Sequence, residues 1–101
     1  MTTSLRPVRS YPRSRPEPRT YITARQREIL LLVANGSTNQ STARKLGLSV
    51  ETIKSQMQLI LRKLRVGDRA QAVAVGLRIG VLRLDEITVP KDANRGYRDP
   101  A

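Results

Sequence analysis

Between Tyr21 and Leu84 the chain is punctuated, at short intervals, by residues that start helices and residues that stop them. Thr23 with Gln26 three residues on has the form of a capping box, and Ile22 just before it can act as a hydrophobic staple. Ile29, Leu30, Leu32 and Val33 then recur at helical spacing until Gly36, so a first helix is expected over about 24–35. Thr38 caps a short second helix over about 39–46, which Gly47 ends. After Ser49 comes a third, over about 50–64, whose Ile53, Met57, Ile60, Leu61 and Leu64 form one apolar stripe. Asp68, with Gln71 placed to complete a second capping box, opens a fourth that stops before Gly80. Nothing alternates with period two over a useful length, so no sheet is expected and the fold class is all-α.

Helices this short must bury their apolar stripes against one another, and 101 residues allow one small domain for doing so. The flanks read differently. Residues 1–20 hold five arginines among four prolines and few apolar groups, the pattern of a disordered basic arm. Such an arm either reaches into a minor groove or is an inert solubilising tail. Residues 85–101 are nearly neutral and are expected to be a flexible C-terminal tail, leaving 21–84 as the folded unit.

The chain has no cysteine and no histidine, which removes disulfides, thiolate metal sites and the commonest general base. Neither an enzyme, nor a metal site, nor any cofactor is expected. The formal net charge is +11, and 21–84 carries eleven basic residues against Glu28, Glu51 and Asp68. A basic excess on the folded part points to a polyanionic partner, because neutralised phosphates release counterions. There is no span of about 20 apolar residues for a bilayer and no secretory signal, so no membrane partner and a cytoplasmic, nucleoid-associated address are expected.

The second and third helices carry the most specific pattern. Ala43 is small enough for close approach, Gly47 can supply a positive φ for the turn, and Ile53 buries the next helix. These offsets are those of a helix-turn-helix. Beyond them, Ile22-Thr23-Ala24-Arg25-Gln26-Arg27-Glu28-Ile29-Leu30 resembles the opening helix of the LuxR-type (GerE-like) DNA-binding domain. Gly36–Asn39 and Ala43–Leu46 resemble its second helix, Ser49–Lys54 and Ile60–Leu64 its recognition helix, and Val66–Arg69 with Ala72-Val73 the start of its fourth.

The resemblance covers about residues 22–82 and implies a four-helix domain with the third helix in the major groove of double-stranded DNA. It also implies a homodimer on an inverted repeat, and hence a bacterial transcription regulator. With the stripe of the third helix inward, Lys54, Ser55 and Gln58 are the expected base readers, since recognition helices read with their N-terminal residues. Asn39, Gln40, Thr52, Arg62 and Lys63 are expected to hold phosphates. On the fourth helix Gln71, Val75 and Ile79 either pair across a two-fold axis or pack under Val81-Leu82 of the same chain. Three positions depart from the pattern: Ser41-Thr42, whose threonine hydroxyl can bond back to a carbonyl one turn earlier, Gln56 in place of a frequent histidine, and the outward Leu59. The length leaves no room for a sensing domain, so a stand-alone member is expected, with RNA polymerase or another regulator as a possible partner. A sigma-factor-like promoter reader, or a phage or plasmid interaction module, is the alternative.

Overall fold

The computed structural model describes residues 21–91 and 93. The arm expected at 1–20 and most of the far C-terminus lie outside them. Four α-helices follow one another, α1 (Ala24–Ala34), α2 (Asn39–Leu46), α3 (Val50–Leu64) and α4 (Arg69–Arg78), with a 3-10 turn at Leu84–Glu86 and no strand among the described residues. Each start is capped by the side chain that the sequence placed there. Thr23, Thr38, Ser49 and Asp68 accept from the amides of Gln26, Ser41, Thr52 and Gln71 at 2.8–3.1 Å. Thr23 and Gln26 complete the reciprocal box. At α4 the reciprocal half differs from expectation. Gln71 Oε1 accepts from the amide of Gly67 at 2.9 Å, one residue before the cap, and so ties the helix to its approaching loop instead.

The ends of α1, α2 and α3 close in one way. In each, paired amides reach back over the last turn: Gly36 to Val33 and Ser37 to Leu32, Gly47 to Arg44 and Leu48 to Ala43, Arg65 to Arg62 and Val66 to Leu61. This closure needs one left-handed residue. Gly47 supplies it at φ 67 without strain, whereas α3 uses Arg65 at φ 59, the one described non-glycine residue with positive φ.

The core is formed by Ile29 and Leu30 of α1, Ala43 of α2, Ile53, Met57 and Ile60 of α3, Ala72 of α4, and Leu82 beyond it. α1 and α3 pack on each other and on both remaining helices, so α2 and α4 bridge them at either side. Gly76 is where the C-terminal segment enters. A Cβ there would lie 3.2 Å from Leu30 and 3.5 Å from Leu82, so the bare backbone makes the seat for both. Thr42 is fully buried, and its hydroxyl has no hydrogen-bond partner. The bond to a carbonyl one turn back is not made.

Beyond Leu82 the chain runs back along α1. Arg27 Nε donates to the carbonyl of Val81 at 2.9 Å and its guanidinium pairs with Glu86. Asn35 donates to the Glu86 carbonyl at 3.1 Å and accepts from the Thr88 amide at 2.6 Å. The boundary expected after Leu84 thus falls inside a segment fastened to α1, and Glu86 and Thr88 belong structurally with the four helices.

Candidate nucleic-acid interface

α3 turns its stripe inward, with Ile53 and Ile60 fully buried and Met57 nearly so. A helix turns about 100° per residue, so the opposite face carries Glu51, Ser55, Gln58 and Arg62, all exposed. The side chains of Lys54, Ser55, Gln58 and Arg62 make no hydrogen bond or ion pair within the described residues. Lys54 and Gln58 stand one turn apart and line a shallow hollow of about 190 Å³ with Asn39, Met57, Leu61 and Arg69. Two expected base readers and one expected phosphate ligand are therefore brought together, at the meeting of α2, α3 and α4. Ser55 and Arg62 share the exposed face, and Gln40 is exposed at the start of α2.

Arg69 completes this edge and was not picked out from sequence. As the first residue of α4, placed by the Asp68 cap, it donates through Nη2 to Asn39 Oδ1 at 3.0 Å. A guanidinium can only donate, so it fixes which end of the Asn39 amide faces the protein. The amide nitrogen of Asn39 is left turned outward.

Lys63 stands elsewhere. It lies nine residues after Lys54, about two and a half turns, and hence on the other flank of α3. Its ammonium donates to Gln26 Oε1 and to the carbonyl of Tyr21, both at 2.8 Å. Gln26, only 4% exposed, in turn donates from Nε2 to Gln56 Oε1 at 3.0 Å. Thr52 is half-buried on this flank, and its hydroxyl oxygen accepts from Ser49 Oγ at 2.9 Å. No sequence signal tied Gln26 to Gln56, because the two are thirty residues apart.

On α4, Gln71 is occupied by the Gly67 amide, Val75 is half-buried, and Ile79 is 59% exposed. Val81 and Leu82 pack toward the core, Leu82 into the seat at Gly76, and leave Ile79 uncovered. Leu84 and Val89 are likewise exposed.

Charge is sorted between the two sides of the molecule. Three ion pairs, Arg25–Glu28, Arg27–Glu86 and Arg83–Asp85, lie in α1 and the C-terminal segment. α2 and α3 together carry Arg44, Lys45, Lys54, Arg62 and Lys63 against Glu51 alone. The described residues hold no cluster of metal-ligating side chains and no helix long and apolar enough to cross a membrane.

Comparison with known proteins agrees with this geometry. The sequence profile of the luxR family of bacterial regulatory proteins matches residues 20–75. The HTH-type transcriptional activator RamA of Corynebacterium glutamicum is 40% identical over 63 residues, 62% of this chain and 22% of that protein. The response regulator protein VraR of Staphylococcus aureus is 41% identical over 66 residues, 65% of this chain and 32% of that protein, and VraR of Staphylococcus epidermidis matches equally. The chain thus spans between a fifth and a third of the length of these curated relatives. The matched stretch takes in α1, α2 and α3 and most of α4, so every residue of the hollow lies inside it. The chain belongs to the luxR family of bacterial regulatory proteins and carries that family's DNA-binding helix-turn-helix.

Proposed function

We propose that this protein is a sequence-specific transcription regulator that sets α3 in the major groove of double-stranded DNA, as a homodimer on an inverted repeat. One observation carries the reading: the exposed face of α3 holds Lys54, Ser55 and Gln58 with their donors and acceptors unspent, on a helix pair that carries five cations against Glu51 alone. Lys54 has the donors for guanine O6 and N7, and Gln58 the paired donor and acceptor for adenine. Ser55, between them, can bond to either base type. Asn39, Gln40, Thr52 and Arg62 border that face and would hold phosphates, which set register without reading sequence. Lys63 would act at one remove, through Gln26. Exposed Ile79, with Gln71 and Val75 beside it, is the surface on α4 for the second copy. A nucleoid address in the cytoplasm follows from such a ligand.

Selection of sites from a random duplex pool at near-physiological salt tests this. Enrichment of an inverted repeat with half-sites about 10 base pairs apart, or a multiple of that, is the expected result. Enrichment of a single half-site would remove the dimer and keep the base readers. Enrichment of nothing would remove sequence-specific binding and turn attention to RNA polymerase or another regulator as the partner.

A further inference from the structure

A helix about 10–12 Å across fills a major groove about 12 Å wide, so both flanks of α3 lie against a phosphate strand when its outward face meets the bases. The flank facing α2 and α4 carries Asn39 and the hollow. The other flank carries Thr52 and Gln56, and its hydrogen bonds can be followed without ambiguity about which amide atom is which. Lys63 Nζ and the backbone amide of Thr23 can only donate, and both point at one atom of the Gln26 side chain, at 2.8 and 3.1 Å. That atom is therefore the oxygen. The nitrogen of Gln26 must then face Gln56, and it can only donate, so the Gln56 atom 3.0 Å away is again the oxygen. The Gln56 amide nitrogen is left pointing away from α1, with two protons and no partner among the described residues. Gln26 is too buried to choose another arrangement.

We propose that Gln26 is a positioning residue for DNA binding: it locks the Gln56 amide with its donors outward, onto a backbone phosphate of the strand beside α1. The inference rests on the DNA-binding reading above. It gives the two flanks one logic, since Arg69 turns the Asn39 amide outward in the same way that Lys63 and Gln26 turn Gln56. It also accounts for a lysine whose ammonium is directed into the protein on an otherwise cationic surface. A neutral donor on this flank positions the helix without adding to the count of neutralised phosphates.

The test measures binding of the full 101-residue chain to a mixed-sequence duplex of about 21 base pairs, and to the selected site, across a salt series. Gln56→Ala should weaken both about tenfold, as loss of a hydrogen bond to a charged group does, with the slope against salt unchanged. Gln26→Glu is the sharper variant. A carboxylate keeps the bonds from Lys63 and Thr23 but has no proton for Gln56, whose amide then flips and presents its oxygen to the phosphate. Gln26→Glu should match Gln56→Ala in affinity while its Tm holds or rises, and the double variant should be no weaker than either single one. Equal binding by wild type and Gln56→Ala would overturn the proposal. So would Gln26→Glu binding at wild-type strength, or losses that add in the double variant. Failure of the wild-type chain to bind either duplex would remove the DNA-binding reading and the proposal together, before any variant is compared.

Discussion

The α2–α3 pair and the α1–C-terminal assembly are built from the same residue types and use them in opposite ways. Along α1 the charged groups are spent on the protein: Arg27 holds Glu86 and the Val81 carbonyl, and Asn35 clamps the backbone at Glu86 and Thr88. On the exposed face of α3, Lys54, Ser55, Gln58 and Arg62 hold nothing. Paired groups lower the energy of the fold, while unpaired ones keep their capacity for a ligand. One small domain thus separates the residues that make it stand from the residues it offers. Such separation makes the two sets distinguishable by mutation.

The largest effects should come from the offered set. Lys54→Ala and Gln58→Ala should each remove about 1–3 kcal/mol of base discrimination, roughly 5- to 150-fold, with little change in Tm. Comparing each variant's affinity for the selected site and for single-base changes of it reads the effect directly. A uniform loss on all duplexes would move these residues from base reading to phosphate holding. A fall in Tm as large as the fall in affinity would erase the contrast between the two regions.

Thr42 sits where the two regions meet and belongs to neither pattern. It is fully buried on α2, and its hydroxyl has lost water without gaining a partner. An unsatisfied buried hydroxyl costs about 1–3 kcal/mol, and valine has nearly the same shape. Thr42→Val should therefore raise stability by about 1–2 kcal/mol in chemical denaturation and leave DNA preference untouched. No gain would mean that the hydroxyl finds a partner in solution.

How much of this was legible in the sequence follows the range of the interactions. The four starts at Thr23, Thr38, Ser49 and Asp68 are local devices, a side chain bonding an amide three residues on, and each was read correctly. The outward face of α3 follows from periodicity in the same way. What escaped is held across the chain: Arg27 to Glu86, Asn35 to Thr88 and Gln26 to Gln56 join residues with no pattern between them. The expectation that Lys63 holds phosphate rests on its type and helix, whereas its bonds to Gln26 and to the Tyr21 carbonyl come from the packing of α1 against α3 and leave no trace in the sequence. Arg69 was missed for the same reason, its partner Asn39 being thirty residues away.

α3 ends at Leu64, where the sequence reading put it, but the left-handed stop that ends it was not legible, because the residue there is the wrong type for its backbone. Arg65 adopts φ 59 and ψ 47 in a closure that elsewhere uses glycine. A side chain in the left-handed region costs about 1 kcal/mol or more, and glycine returns part of that through its freer unfolded chain. Arg65→Gly should raise stability by about 0.5–1 kcal/mol. Arg65 is exposed, so any loss in DNA affinity from the same change would add it to the offered set and show that strain is kept there for binding.

The smallest effect tests the held set by pH. The Arg27 guanidinium, helped by the Arg83 backbone amide, keeps the Glu86 carboxyl below its ordinary range. A carboxylate whose native pKa is depressed favours the native state fully above its unfolded value, about 4.3, and loses that contribution as pH falls through the lower native value. Acidification through this window should therefore loosen the C-terminal segment before the helices. The Thr88 amide, bonded to Asn35, is the probe. Its hydrogen exchange, corrected for intrinsic rate, should speed up on acidification in the wild-type chain and be fast and pH-independent in Glu86→Gln. The core amides of α3 should not follow. If they do, the segment and the four helices unfold as one unit, and the Arg27–Glu86 pair is part of the domain's global stability. If the Thr88 rate ignores both pH and Glu86→Gln, Asn35 alone fastens the segment and the ion pair is a surface contact of little consequence.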